Sequence, residues 1–341
     1  MTQHTSSSAA SPTLSLGRTG PRVAPIALGC MGMSGMYGPT DERECIATIH
    51  AALERGVNLL DTGDFYGQGE NELLVGKALR SADVRRDDVL LSVKFGALRA
   101  PDGSFTGYDG RPASVKNFLA YSLKRLGVSY IDIYRPSRLD PDVPIEDTIG
   151  AIADMVQAGY VRHIGLSEVG PETIRRAHAV HPIVDLQIEY SLLSRGLERA
   201  ILPVLEELDI AVTAYGVLSR GLLTGSTPSA GAGDFRGNLP RFSGDNRARN
   251  EELVQALARI AAARSVTPAQ LCVAWVRAQG PRFVPLMGCR TRAQLDEALA
   301  ALAVTLSDDE VAELERALPA DQVAGERYPA FLMSMLDSER A

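Results

Sequence analysis

The chain has 341 residues, 45% of them hydrophobic and 23% charged, with a formal net charge of −7. That balance suits an ordinary globular protein with a large core. Its sign argues against a protein that grips nucleic acid or anionic lipid through a bulk positive field. Four scattered cysteines, Cys30, Cys45, Cys272 and Cys289, form no C-x-x-C pair. This speaks against a disulfide framework or a thiolate zinc site and fits a reducing compartment.

In chain order, residues 1–13 lack both a basic and an apolar region and read as a disordered tail, not a signal peptide. No apolar run approaches the roughly 18 residues a membrane span needs, so a cytoplasmic location without membrane partners is expected. Leu14–Ala24 reads as a hairpin around Thr19-Gly20. Eight short apolar runs bounded by Gly, Pro or Asp then read as strands: Ile26–Leu28, Val57–Leu60, Val89–Lys94, Ile131–Tyr134, Arg162–Leu166, Val184–Ile188, Ala211–Tyr215 and Phe283–Leu286. Continuous apolarity is the mark of parallel strands buried on both faces.

Helical signals fall between them. Asp41 with Glu44 makes a capping-box-like start and Gly56 a stop. Ser114 opens a helix stopped by Gly127, and Pro144 precedes Ile145–Ala158. Asn250–Ser265 and Pro268–Ala278 follow, while Gly225–Asn250, rich in Gly, Ser, Pro and Arg, reads as a long loop covering a site. Eight strand-then-helix units predict an α/β fold, a (β/α)8 TIM barrel plugged by the N-terminal hairpin, with extra C-terminal helices. Residues 14–320 form the barrel domain, and 321–341 a tail contributing to or flanking the pocket. Although about 150 residues per domain would allow two domains, such barrels exceed that as one unit. The doubly wound alternative needs G-x-G-x-x-G after its first strand, and Gly29, Gly32 and Gly35 have the wrong spacing. His178 and His181 mimic a metal pair but lack a third ligand nearby, so no metal is expected.

Reactive groups of such a barrel belong at the C-terminal ends of its strands. Those positions hold Asp61 through Tyr66, Lys94, Ser137, Ser167 with Glu168, Gln187, Tyr215, and the run Gly288 to Arg292. Asp61, Tyr66 and Lys94 form a chemical set. An ammonium beside a phenol stabilises phenolate and lowers its pKa, and a carboxylate holds that ammonium charged. The tuned phenol would protonate a carbonyl oxygen while hydride reaches carbon.

The chain resembles an aldo-keto reductase. The resemblance rests on Leu28-Gly-Cys-Met-Gly-Met-Ser, Leu60-Asp-Thr-Gly-Asp-Phe-Tyr66, Tyr121-Ser-Leu-Lys-Arg-Leu-Gly127, Gly159-Tyr-Val-Arg-His-Ile-Gly-Leu-Ser167 and Ala214-Tyr-Gly-Val-Leu-Ser-Arg-Gly221. It implies an NADP(H)-dependent enzyme acting on a small-molecule carbonyl substrate. Tyr66 is then the proton donor, Lys94 lowers its pKa, and Asp61 positions Lys94. Ser167 and Gln187 hold the nicotinamide carboxamide, with Glu168 accepting from its NH2, and Tyr215 stacks on the ring. Ser219, Arg220, Gly221 and Leu222 border the pyrophosphate. Arg290, following Gly288, meets the adenosine 2′-phosphate, and Gln294 lies beside it. The family's usual site histidine is replaced by Ser137. The resemblance therefore leaves open reduction of a C=C or C=N bond, or an NADP(H)-binding sensor or partner subunit with little turnover. Arg135 and Arg138 flank Ser137, with one of them a candidate for the pocket or both for rim ion pairs. Phe65, Phe95, Phe105 and Tyr108 are candidate lining aromatics. A homo-oligomer is admitted, and a nucleic-acid partner is not expected.

Overall fold

The computed structural model describes residues 13–224 and 234–340. Eight parallel strands close into a barrel: β1 (Ala27–Gly29), β2 (Leu59–Gly63), β3 (Leu90–Phe95), β4 (Ile131–Pro136), β5 (Val161–Ser167), β6 (Ile183–Glu189), β7 (Ala211–Tyr215) and β8 (Phe283–Gly288). Pairing runs in sequence order, and β8 returns to β1, with Leu286 opposite Ala27. Each of the eight predicted strands is present, with ends displaced by at most three residues.

Alternation along each strand separates two interiors. Leu60, Leu91, Val93, Tyr134, Leu166, Leu186 and Val212 face outward into the large core between the barrel and its helices. Leu59, Ile133, Val184, Ala211 and Val284 face inward and pack under the hairpin residues Leu16 and Val23. That hairpin pairs Leu14–Ser15 with Arg22–Val23 antiparallel. The Arg18 amide donates to the Asp209 carbonyl at 3.0 Å, which fixes the plug to the loop preceding β7.

Helices occupy the predicted places with different starts. Asp41 caps Glu42–Glu54 by accepting from the Arg43 and Glu44 amides. The second begins at Pro112 instead of Ser114, because proline suits the first turn where no N–H is needed. The helix expected from Asn250 begins at Gly244. Its first turns are polar all round and carry no apolar period. Residues 234–243 are short 3-10 turns, while 225–233 of the expected loop lie outside the described residues. After Asp308–Ala317 the chain passes through Ala330–Met333, and Tyr328 and Leu336 pack with Leu239. Among the described residues no helix is long and apolar enough to cross a membrane, and the four cysteines are buried and free.

Candidate active site

The inward positions turn from apolar to polar toward the strand C-terminal ends. Leu59 is followed by Asp61, Ile133 by Arg135, and Ala211 by Thr213. In β6 an irregularity between Ile183 and Asp185 brings Asp185 and Gln187 to the same inner side. The result is a continuous buried network. Arg135 donates to Asp185 at 2.9 Å and to the Ser92 hydroxyl at 3.0 Å, and Thr213 donates to Asp185 at 2.5 Å. Ser92 in turn donates to Asp61 at 2.7 Å. Gly165 makes room for this layer, since a Cβ there would lie 2.6 Å from Asp185 Oδ1. Arg135 is thus a barrel-interior residue and not a rim charge.

Asp61 is the hub above that layer. It ion-pairs with Lys94 and accepts from Gln187 Nε2 at 2.8 Å. Because a carboxylate can only accept, the Gln187 amide must turn its NH2 toward Asp61. Its Oε1 is left buried without a partner. Ser137 Oγ is buried and unpartnered too, while the Ser137 amide donates to the Phe95 carbonyl at 2.8 Å.

Tyr66 follows β2 in a tight turn, with Gly67, Gln68 and Gly69 all at positive φ, before the helix Glu70–Ser81. Its hydroxyl has no hydrogen-bond partner among the described residues. Lys94 Nζ lies 5.4 Å from the Tyr66 ring centre. Burial first, and then the Asp61 charge, push the phenol well above its ordinary value, with Arg138 opposing. Any lowering of this value by Lys94 is outweighed: the ammonium is paired to Asp61, and burial dominates. Lys94 itself is lowered by burial, against the pull of Asp61.

These groups border a cavity of about 490 Å³ at the C-terminal end of the barrel. Ser137, Ser167, Gln187, Tyr215, Arg220, Gly221, Gly288, Arg290 and Gln294 all reach it. Ser219 and Leu222 do not. Leu222 is core, and Ser219 is buried with its hydroxyl 3.1 Å from that of Ser191. Phe65, Phe105 and Tyr108 line the cavity, whereas Phe95 stacks on Tyr134 at 4.4 Å in the core behind it.

Glu168 requires the largest correction. It is fully buried away from the cavity, and its oxygens are already taken. Arg327 donates to both at 3.1 and 2.9 Å, Tyr215 at 2.6 Å, Ser338 at 2.8 Å and the Glu189 amide at 2.9 Å. Burial opposes ionisation, but Arg327 and these donors hold the carboxyl below its usual range. Glu168 therefore has no acceptor free for a carboxamide. It ties the C-terminal segment to the barrel, and Tyr328, Phe331, Leu332 and Leu336 of that segment form part of the cavity wall. Sequence reasoning missed Arg327 and Tyr328. The inner polar layer of Ser92, Asp185 and Thr213 was detectable as the i, i+2 companions of Lys94, Gln187 and Tyr215.

Also on the cavity, Arg290 donates to the Tyr37 carbonyl at 3.2 Å and has no carboxylate within 4.0 Å among the described residues. Arg292 turns away into a forked pair with Glu44. The helix Arg292–Ala300 begins here, capped by Thr291.

The aldo/keto reductase family model matches residues 25–319. The chain belongs to the aldo-keto reductases. It is 41% identical over 318 residues to a probable aldo-keto reductase of Glycine max, covering 92% of this chain and 90% of that one. The glycerol dehydrogenase of Gluconobacter oxydans superposes with a TM-score of 0.80 at 29% identity, covering 90% and 96% of the two chains. An aldo-keto reductase of Bacillus halodurans, solved in its holo form, gives 0.73 at 28%, covering 91% and 97%. This aldo-keto reductase is thus an oxidoreductase built on the (β/α)8 barrel.

Proposed function

We propose that this aldo-keto reductase reduces an aldehyde or ketone to an alcohol with NADPH, Tyr66 delivering the proton. The cavity residues fit a nicotinamide dinucleotide phosphate. Gln187 Oε1, fixed as an acceptor by Asp61 and left without a donor, suits the NH2 of a carboxamide, and the Ser167 hydroxyl suits its carbonyl. The flat face of Tyr215 suits stacking on the ring. Arg290, free of carboxylate partners among the described residues, and the N-terminus of Arg292–Ala300 suit a phosphate. When bound, the dinucleotide supplies the hydride.

The chain's own part is proton delivery and charge control. Carbonyl carbon gains hydride and carbonyl oxygen gains the Tyr66 proton, leaving a phenolate that solvent reprotonates. The raised pKa keeps Tyr66 protonated across the neutral range. An alkoxide is far more basic than any phenol, so the transfer remains downhill. Lys94 sits where it can compensate the phenolate as it forms. Ser137 offers one hydroxyl, unclaimed by protein, to the carbonyl oxygen.

The observation that carries this reading is an unpartnered phenol beside the Lys94–Asp61 pair, on the same cavity as Arg290. The test is NADPH consumption with a panel of aldehydes and ketones. Tyr66→Phe should lower kcat/KM by at least about 100-fold, the usual worth of a positioned acid. Equal rates for the two proteins would remove Tyr66 from the reaction.

A further inference from the structure

Among the described residues, six cationic side chains, Lys94, Arg99, Arg138, Arg220, Arg236 and Arg290, border the cavity, against one carboxylate, Asp61. This excess stands out in a chain whose net charge is −7. Most of it is locally balanced. Lys94 pairs with Asp61, Arg220 with Glu189 at 3.0 Å and Arg236 with Asp234 at 2.5 Å. Arg290 lies beside Tyr37 and the helix Arg292–Ala300, where a cofactor phosphate is proposed. Arg99 is exposed and donates to the Gly103 carbonyl.

Arg138 is different. It follows β4 directly after Ser137, at the Tyr66 end of the cavity. Its Nη1 donates to the Ser137 carbonyl at 2.6 Å and to the Ser167 hydroxyl at 3.3 Å. Among the described residues it has no carboxylate within 4.0 Å, and its Nε and Nη2 have no acceptor. The nearby Glu168 is consumed by Arg327. The guanidinium therefore brings a charge without a carboxylate partner to the cavity that Phe65, Phe105 and Tyr108 also line. Water screens a charge poorly there, and a guanidinium fork matches a carboxylate in geometry as well as sign.

We propose that Arg138 anchors an anionic group of the substrate, so that this reductase acts on carbonyl compounds carrying a carboxylate a few bonds from the reacting carbon. The proposal rests on Tyr66 being the proton donor for a carbonyl.

The test uses aliphatic ω-oxo carboxylates of four to six carbons and their methyl esters, with saturating NADPH. The wild type should prefer the acid over its ester by at least about tenfold in kcat/KM at one chain length, mostly through KM. Arg138→Leu should collapse that preference to within about twofold, and Arg138→Lys should retain part of it. Equal use of acid and ester by the wild type overturns the proposal. So does a tenfold weakening of NADPH binding in Arg138→Leu, read by nucleotide fluorescence, which would assign Arg138 to the cofactor. If no carbonyl is turned over, the reading of Tyr66 fails, but the anchor is still measurable. Calorimetric titration of the NADPH-loaded protein with the matching ω-hydroxy carboxylates should give binding that Arg138→Leu abolishes. No binding to the wild type would overturn the anchor too.

Discussion

Asp64 sits three residues after the hub carboxylate but behaves in the opposite way. Its Oδ1 is buried without a partner, and its Oδ2 accepts a long bond from the Gly96 amide, at 3.4 Å. Burial first, and then the Glu72 charge, push its carboxyl up to about 7. The folded value lies above the unfolded one, so the contribution to stability is full below about pH 4 and is lost as pH rises toward 7. Unfolding free energy should therefore fall over that window, on the order of 3–4 kcal/mol from this group. Asp64→Asn should flatten the fall in urea titrations at pH 5 and pH 7.5, and an unchanged slope would exclude Asp64 as its source. Such behaviour was not readable from the sequence, because burial and the approach of Glu72 are tertiary facts. Asp61, Tyr66 and Lys94 were readable as a set, because strand ends fix where side chains point. Glu168 occupies an equivalent strand end and misled for that reason: Arg327, 159 residues away, takes it out of the cavity.

At the level of elements, the strands could be read because burial on both faces writes continuous apolar runs that glycine and proline punctuate. The helix Gly244–Ala263 was found late for the complementary reason. Its first turns expose polar residues on every side, and their one deep anchor, Asn250, is held by distant partners. Asn250 donates to the Arg241 and Ala324 carbonyls at 3.1 and 2.9 Å and accepts from the Ala324 amide at 2.9 Å. The hairpin plug shows how closely such elements fit. Gly17 has φ +62°, and a Cβ there would lie 2.6 Å from the Asp209 carbonyl oxygen and 2.7 Å from that of Val184. Both obstacles are backbone, so neither can swing aside. Gly17→Ala should cost about 2 kcal/mol or more in denaturant unfolding, combining left-handed strain with overpacking. A loss under about 0.5 kcal/mol would mean that the plug is not seated as tightly as this.

For the whole molecule, the cavity is closed by a segment that follows the last large helix, and that closure depends on buried charge. The side chains of Glu168 and Glu189 are fully buried, and Arg327 reaches both, at 2.9 and 3.4 Å, while also pairing with Glu339 at 2.5 Å. The Gly170 amide adds a bond to Asp337 at 2.8 Å. Removing one partner of a buried pair leaves an uncompensated charge, which costs more than the pair itself is worth. Arg327→Met should therefore destabilise by about 3–5 kcal/mol. It should also open residues 327–340 to proteolysis before the barrel. Adding Glu168→Gln should recover part of the loss, because the neutral amide no longer needs a counter-charge and the two sites share one network. Additive losses in that double variant would mean that the two residues stabilise the fold independently. In that case the C-terminal wall of the cavity would be held mainly by the packing of Tyr328, Leu239 and Leu336 and by bonds such as that from the Gly170 amide to Asp337.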